Sequence, residues 1–124
     1  MEKITSYLSG FGVPMLIFLI AIDATGLTGA AAITAALAML GPGGMVGGVA
    51  FLLAIGIISR ALPEYGIGAL YKSFIKKLRE KGETDESIMK AIDCYPISSS
   101  LKAQCKQYIL DHPVDDTTVT EVDG

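Results

Sequence analysis

The chain has no tryptophan, one histidine and two cysteines. Each scarcity removes a class of function. A single histidine, His112, sits in an acidic stretch with no nucleophile motif near it, so the usual triads have no base to work with. Cys94 and Cys105, eleven apart, match no zinc or redox spacing. They also rule out a disulfide-dense secreted miniprotein. The glycines form neither a dinucleotide fingerprint nor a phosphate loop, since no Gly-Lys-Ser/Thr follows them. We therefore expect no enzyme, no cofactor, no metal and no catalytic residue.

Charge is scarcest in the first half. Residues 1–63 carry only Glu2, Lys3, Asp23 and Arg60. Ile4–Ile22 runs 19 residues without a charge and Ala24–Ser59 runs 36. A helix rises about 1.5 Å per residue, so roughly 20 apolar residues cross a hydrocarbon core of about 30 Å. The second run is too long for one crossing. Gly41-Pro42-Gly43-Gly44 supplies strong turn chemistry inside it. Folding back there gives the arms Ala24–Leu40 and Met45–Leu62. The expected fold is all-α: a membrane helical hairpin, with two or three spanning helices depending on whether residues 4–22 also insert. A soluble bundle would need amphipathic neighbours to wrap three all-apolar helices, and the rest of the chain offers little material for that. A cleaved leader fits less well, because Met-Glu-Lys is hardly basic and Ala21-Ile22-Asp23-Ala24 is a poor cleavage site.

Small residues recur every four positions along the hairpin. Gly26/Ala30, Ala31/Ala35 and Ala32/Ala36 lie on the first arm, and Gly43/Gly47, Gly44/Gly48 and Ala50/Ala54 on the second. Lipid is as apolar as leucine, so helices in a bilayer associate where small residues let backbones approach. Two such faces exceed what two arms need between themselves, which points to a homo-oligomer built as a glycine zipper. Compositionally, residues 24–62 resemble the glycine-rich hairpins of small membrane proteins, rotor-ring subunits and holin-like peptides among them. A proton-carrying rotor subunit would need a carboxylate in mid-span. Residues 45–59 have none, and Asp23 reads as a boundary residue.

Beyond Pro63, read as a kink or a new helix start, the pattern changes. Ile67, Leu70, Tyr71, Phe74, Ile75 and Leu78 form one helical stripe, and Lys72, Lys76, Lys77, Arg79 and Lys81 lie mainly off it. Five cations within a stretch of ten residues, following a span, satisfy the positive-inside rule and attract anionic headgroups. This predicts a basic amphipathic helix on the cytoplasmic membrane surface or packed on its own hairpin. The net charge of −3 and the absence of a recognised module give nucleic acid little support. Gly82 reads as a helix stop, Thr84 as a cap, and one of Ser98, Ser99 or Ser100 as another. A short antiparallel pair follows, with Ile88, Ile92 and Tyr95 facing Leu101, Cys105 and Tyr108. Glu64 is placed to pair with Arg60.

The expected organisation is a membrane-embedded region at 1–63, a cytosolic or interfacial helical region at 64–110 and an acidic tail at 111–124. The leading functional expectation is a small oligomeric integral membrane protein that perturbs or perforates the bilayer. The alternatives are a membrane-anchored adaptor whose residues 83–110 bind a protein partner, and a soluble helical assembly subunit.

Overall fold

The computed structural model describes residues 2–41 and 48–112. Among them every regular element is a helix: α1 Glu2–Ser9, α2 Val13–Thr25, α3 Gly29–Leu40, α4 Gly48–Tyr65, α5 Ile67–Glu80, α6 Asp85–Cys94 and α7 Ser99–Asp111. The expected turn at 42–44 and the tail beyond His112 lie outside the described residues.

The N-terminal apolar run is not one helix. α1 and α2 meet at 117°. Gly12 has φ 71°, which a side chain with a Cβ adopts only at a cost, and Pro14 stands in the first turn of α2, where its missing N–H is harmless. The first arm of the expected hairpin is likewise divided. α2 continues through Asp23 to Thr25, Gly26 closes it in the left-handed conformation at φ 69°, and α3 starts only at Gly29. Pro63 does not start a helix. It lies in the last turn of α4, and the break comes at Gly66, φ 80°. So close to a helix end, proline removes one backbone hydrogen bond without interrupting a longer ladder.

α2 is the centre of the molecule. Val13 and every residue from Met15 to Ile22 are buried. Helices α3, α5, α6 and α7 pack around it, and α1 lies across α5. The wrapping that the sequence seemed too short to provide is thus concentrated on one helix of 13 residues. Phe18 meets Phe51 of α4 edge-on at 5.8 Å, and Phe51 meets Phe11 at 5.9 Å.

The apolar stripe of α5 forms as read, with Leu70, Tyr71, Phe74, Ile75 and Leu78 buried. It faces α1 and α2 rather than lipid, so this helix does not lay its apolar side in a membrane surface. Ser73 Oγ donates to Thr5 Oγ1 at 3.1 Å across the α1–α5 contact. The helix ends in a Schellman turn. Glu83 N–H bonds to Leu78 O at 3.0 Å and Gly82 N–H to Arg79 O at 3.0 Å, with Gly82 at φ 97°.

Thr84 caps α6 reciprocally: its Oγ1 accepts from Ser87 N at 3.1 Å, and Thr84 N donates to Ser87 Oγ at 2.8 Å. Ser98 accepts from Leu101 N at 3.2 Å and starts α7. Lys106 Nζ reaches Asp93 at 2.7 Å and Lys102 Nζ donates to Asp93 O at 2.7 Å, closing the α6–α7 pair. Thr84→Ala is expected to lower stability by about 0.5–2 kcal/mol, the usual value of such a cap. A thermal melt followed by circular dichroism checks it. An unchanged midpoint would mean that packing alone sets the start of α6.

Candidate functional site

The surface that stands out is the outer side of α3 and α4. Val49, Leu52 and Leu53 of α4 are 74%, 53% and 62% exposed. α4 is 18 residues long, is long and apolar enough to cross a membrane by length and composition, and has 22% of that stretch buried. At 1.5 Å per residue it extends about 27 Å, close to a bilayer core. The α1–α2 pair passes the same test only if its 117° bend is ignored. One or two helices therefore have the length and composition of a span. They differ in circumstance, since α2 is sheathed in protein and α4 is not.

The cause is visible in the helix periodicity. Phe51, Ala54, Ile55, Ile58 and Ala61 turn inward at three- and four-residue spacing. A second apolar set, Val49, Leu52, Leu53 and Gly56, is left outside. In water an amphipathic helix would place polar residues there.

The small residues divide between these sides. Ala54 is fully buried, as are Ala32 and Ala36 of α3. Ala30, Ala50 and Gly48 are exposed, and Gly26 is the exposed left-handed residue ending α2. Gly43, Gly44 and Gly47 lie outside the described residues. Ala31, Thr34, Ala38 and Gly56 join the exposed set. Thr34 Oγ1 bonds back to Ala30 O at 3.0 Å, so its polar group is satisfied within α3.

The cations of α5 do not act as one patch. Lys77 lies 3.9 Å from Glu80, Arg79 Nη2 is 2.9 Å from Asp85, and Lys81 Nζ donates to Ser9 O at 3.1 Å, at the negative end of α1. Lys72 and Lys76 face solvent. An open cleft of about 750 Å³ between α5 and α6 is lined by Lys76, Arg79 and four acids, Glu80, Glu83, Asp85 and Glu86. Arg79 Nε is buried there without a hydrogen-bond acceptor. At the other end of the hairpin no ion pair joins Arg60 to Glu64 among the described residues; Glu64 engages the Tyr65 hydroxyl instead.

One cluster had no signal in the sequence. Tyr108 of α7 donates to the Asp23 carboxylate of α2, 85 positions away. It stacks on His112 at 4.0 Å and meets Tyr71 of α5 edge-on at 4.9 Å. Tyr108 and His112 are four apart at the end of α7, but nothing in local spacing relates them to Asp23 or Tyr71; only the packing of three helices does. Burial raises the pKa of Tyr108, and the hydrogen bond and charge of Asp23 raise it further. Burial, then the charge of Asp85, pushes Tyr71 up to about 12. Burial alone takes the Cys105 thiol up to about 12. Cys94 is exposed and Cys105 buried, and both thiols are free.

These shifts predict an alkaline instability. Cys105 ordinarily loses its proton near 9.0 and Tyr71 near 10.0, but both hold it to about 12 in the fold. Between those limits the unfolded chain binds fewer protons than the native one, so stability falls as pH rises. The slope approaches about 1.4 kcal/mol per pH unit for each group. Denaturant melts from pH 8 upward should show the loss, and Cys105→Ala should remove the part that begins near 9.0. A flat profile to pH 12 would mean that neither group is held in its neutral form.

No family model, no curated protein and no solved structure matches the chain, so its functional reading stands on this geometry alone.

Proposed function

We propose that the chain is a membrane protein whose α3–α4 hairpin puts its outer side into the bilayer, with α1, α2 and α5–α7 packed behind it as a helical bundle. In the bilayer, copies of the hairpin associate and perturb or perforate it. The observation that carries the reading is α4 itself: a span-length helix with Val49, Leu52 and Leu53 turned out of the fold. An outward apolar side costs free energy in water and gains it in lipid, at about 25 cal/mol per Å² removed from water. Exposed Ala30, Ala31, Ala50 and Gly56 supply places where hairpins approach closely. Lys72 and Lys76 provide cations for anionic headgroups and favour a cytoplasmic bundle.

Flotation tests the reading. Purified chain mixed with vesicles containing phosphatidylserine should rise with the lipid in a density gradient, and should release an entrapped dye once it oligomerises. Protein that stays at the bottom at every lipid composition would overturn insertion. Flotation without leakage would leave an anchor and remove the pore.

A further inference from the structure

A second cavity lies where the hairpin joins the bundle. It is an open-sided hollow of about 370 Å³ between the end of α2, the start of α3 and the α4–α5 junction. Ile22, Ala32, Leu62 and Ile67 line its depth, and the exposed side chains of Leu27 and Pro63 stand at its edge. Thr28 is the one polar side chain in the lining. The volume falls in the small-ligand range of about 300–1,000 Å³, and an apolar lining of this kind suits an apolar guest.

Its position identifies the guest. Leu52, Gly56, Ser59 and Pro63 recur at four and three residues, so they share one side of α4. All four are exposed. The outward side of α4, apolar at Leu52 and interrupted by the hydroxyl of Ser59, thus runs to Pro63 at the cavity's edge. Arg60, exposed and three residues before Pro63, adds a cation on the neighbouring surface.

We infer that this cavity takes the acyl chain of an anionic membrane lipid, with its headgroup beside Arg60. The inference rests on the lipid-facing reading of the hairpin for the source of the chain, though not for the cavity's capacity to hold one. Each methylene buried is worth about fourfold in affinity. Affinity should climb at that rate with acyl length and then level once the cavity is full.

The absence of tryptophan makes the experiment direct. Leu27→Trp, at a half-exposed position, places a single fluorophore at the cavity edge, and Val49→Trp places one on the remote first turn of α4. Brominated fatty acids of increasing length, kept below micelle-forming concentrations and without vesicles, should quench the residue-27 reporter saturably and the residue-49 reporter far less. Arg60→Gln should weaken fatty-acid quenching severalfold and leave brominated monoglyceride unaffected. Ala32→Leu, which fills the cavity, should shorten the chain length at which affinity levels. Equal quenching of both reporters, or no length dependence, would overturn the site even if the protein floats. Saturable quenching at residue 27 in a protein that does not float would keep the site and overturn the bilayer as its source.

Discussion

Phe18→Ala is expected to remove about 3–5 kcal/mol of stability, the largest effect of any single substitution considered. Phe18 is fully buried in the middle of α2, and its ring meets Phe51 edge-on at 5.8 Å. Truncation leaves a cavity that five packed helices cannot readily close, and the aromatic contact, worth about 0.5–1.5 kcal/mol by itself, is lost with it. Small domains hold only about 5–15 kcal/mol in total, so the variant should lose a large share of its stability. Urea unfolding followed by circular dichroism measures it. Leu53→Ala is the internal comparison. It removes a residue of similar hydrophobicity, but one that is 62% exposed. In buffer its effect should stay within about 0.5 kcal/mol. If the two variants lost equal stability, α2 and α4 would share one environment and the contrast between a sheathed and a bare apolar helix would fail.

The second large effect reverses that comparison in lipid. Leu52→Asp combined with Leu53→Asp should abolish vesicle flotation while leaving helix content in buffer unchanged. An aspartate at the centre of a spanning helix costs about 2.5–3.5 kcal/mol on insertion scales. These positions lie somewhat before the middle of α4, yet two such charges still reduce partitioning by more than a hundredfold. Both side chains point away from the bundle core, so the folded state has little reason to object. Measuring circular dichroism and flotation on the same preparation separates the two properties. Undiminished flotation would show that α4 is not the element that enters lipid.

Much of the local structure was legible because it depends on near neighbours. Thr84 and Ser98 announced their helices through capping chemistry, and Gly82 announced the end of α5. The stripe from Leu70 to Leu78 defined the inward side of α5 without reference to anything beyond it. The apolar runs were harder. They carry no periodicity of charge from which to read an inward side, so Ala24–Leu40 looked like one arm. The switch at Gly26 then fell inside a stretch where every residue suits lipid and protein core alike. Pro63 misled for a related reason: proline breaks a helix according to its depth within it, and that depth is set by Gly66 three residues later.

The candidate surface was only partly legible. Gly26, Ala30, Ala50 and Ala54 share a four-residue spacing, yet Ala54 is buried and the other three are exposed. Spacing alone fixes neither how much of each residue is covered nor, for Gly26 and Ala30, that one helix holds both. The five cations at 72–81 were also visible, and Lys77 takes an ordinary neighbour three residues on, but Arg79 and Lys81 take partners that sequence order gave little reason to link, Asp85 and Ser9. The Asp23–Tyr108 bond and the apolar cavity near Leu62 had no local precursor at all.

By itself the sequence determined that the chain would be helical, where α5 stops and where α6 and α7 start, and that its first half would be apolar. Those properties follow from backbone preferences and from the transfer energy of side chains, which neighbouring residues fix. Which apolar helix is enclosed by protein and which stays uncovered was decided by tertiary structure. There are enough amphipathic helices to surround α2 and not enough to surround α4 as well. Only the packed arrangement assigns that limited cover.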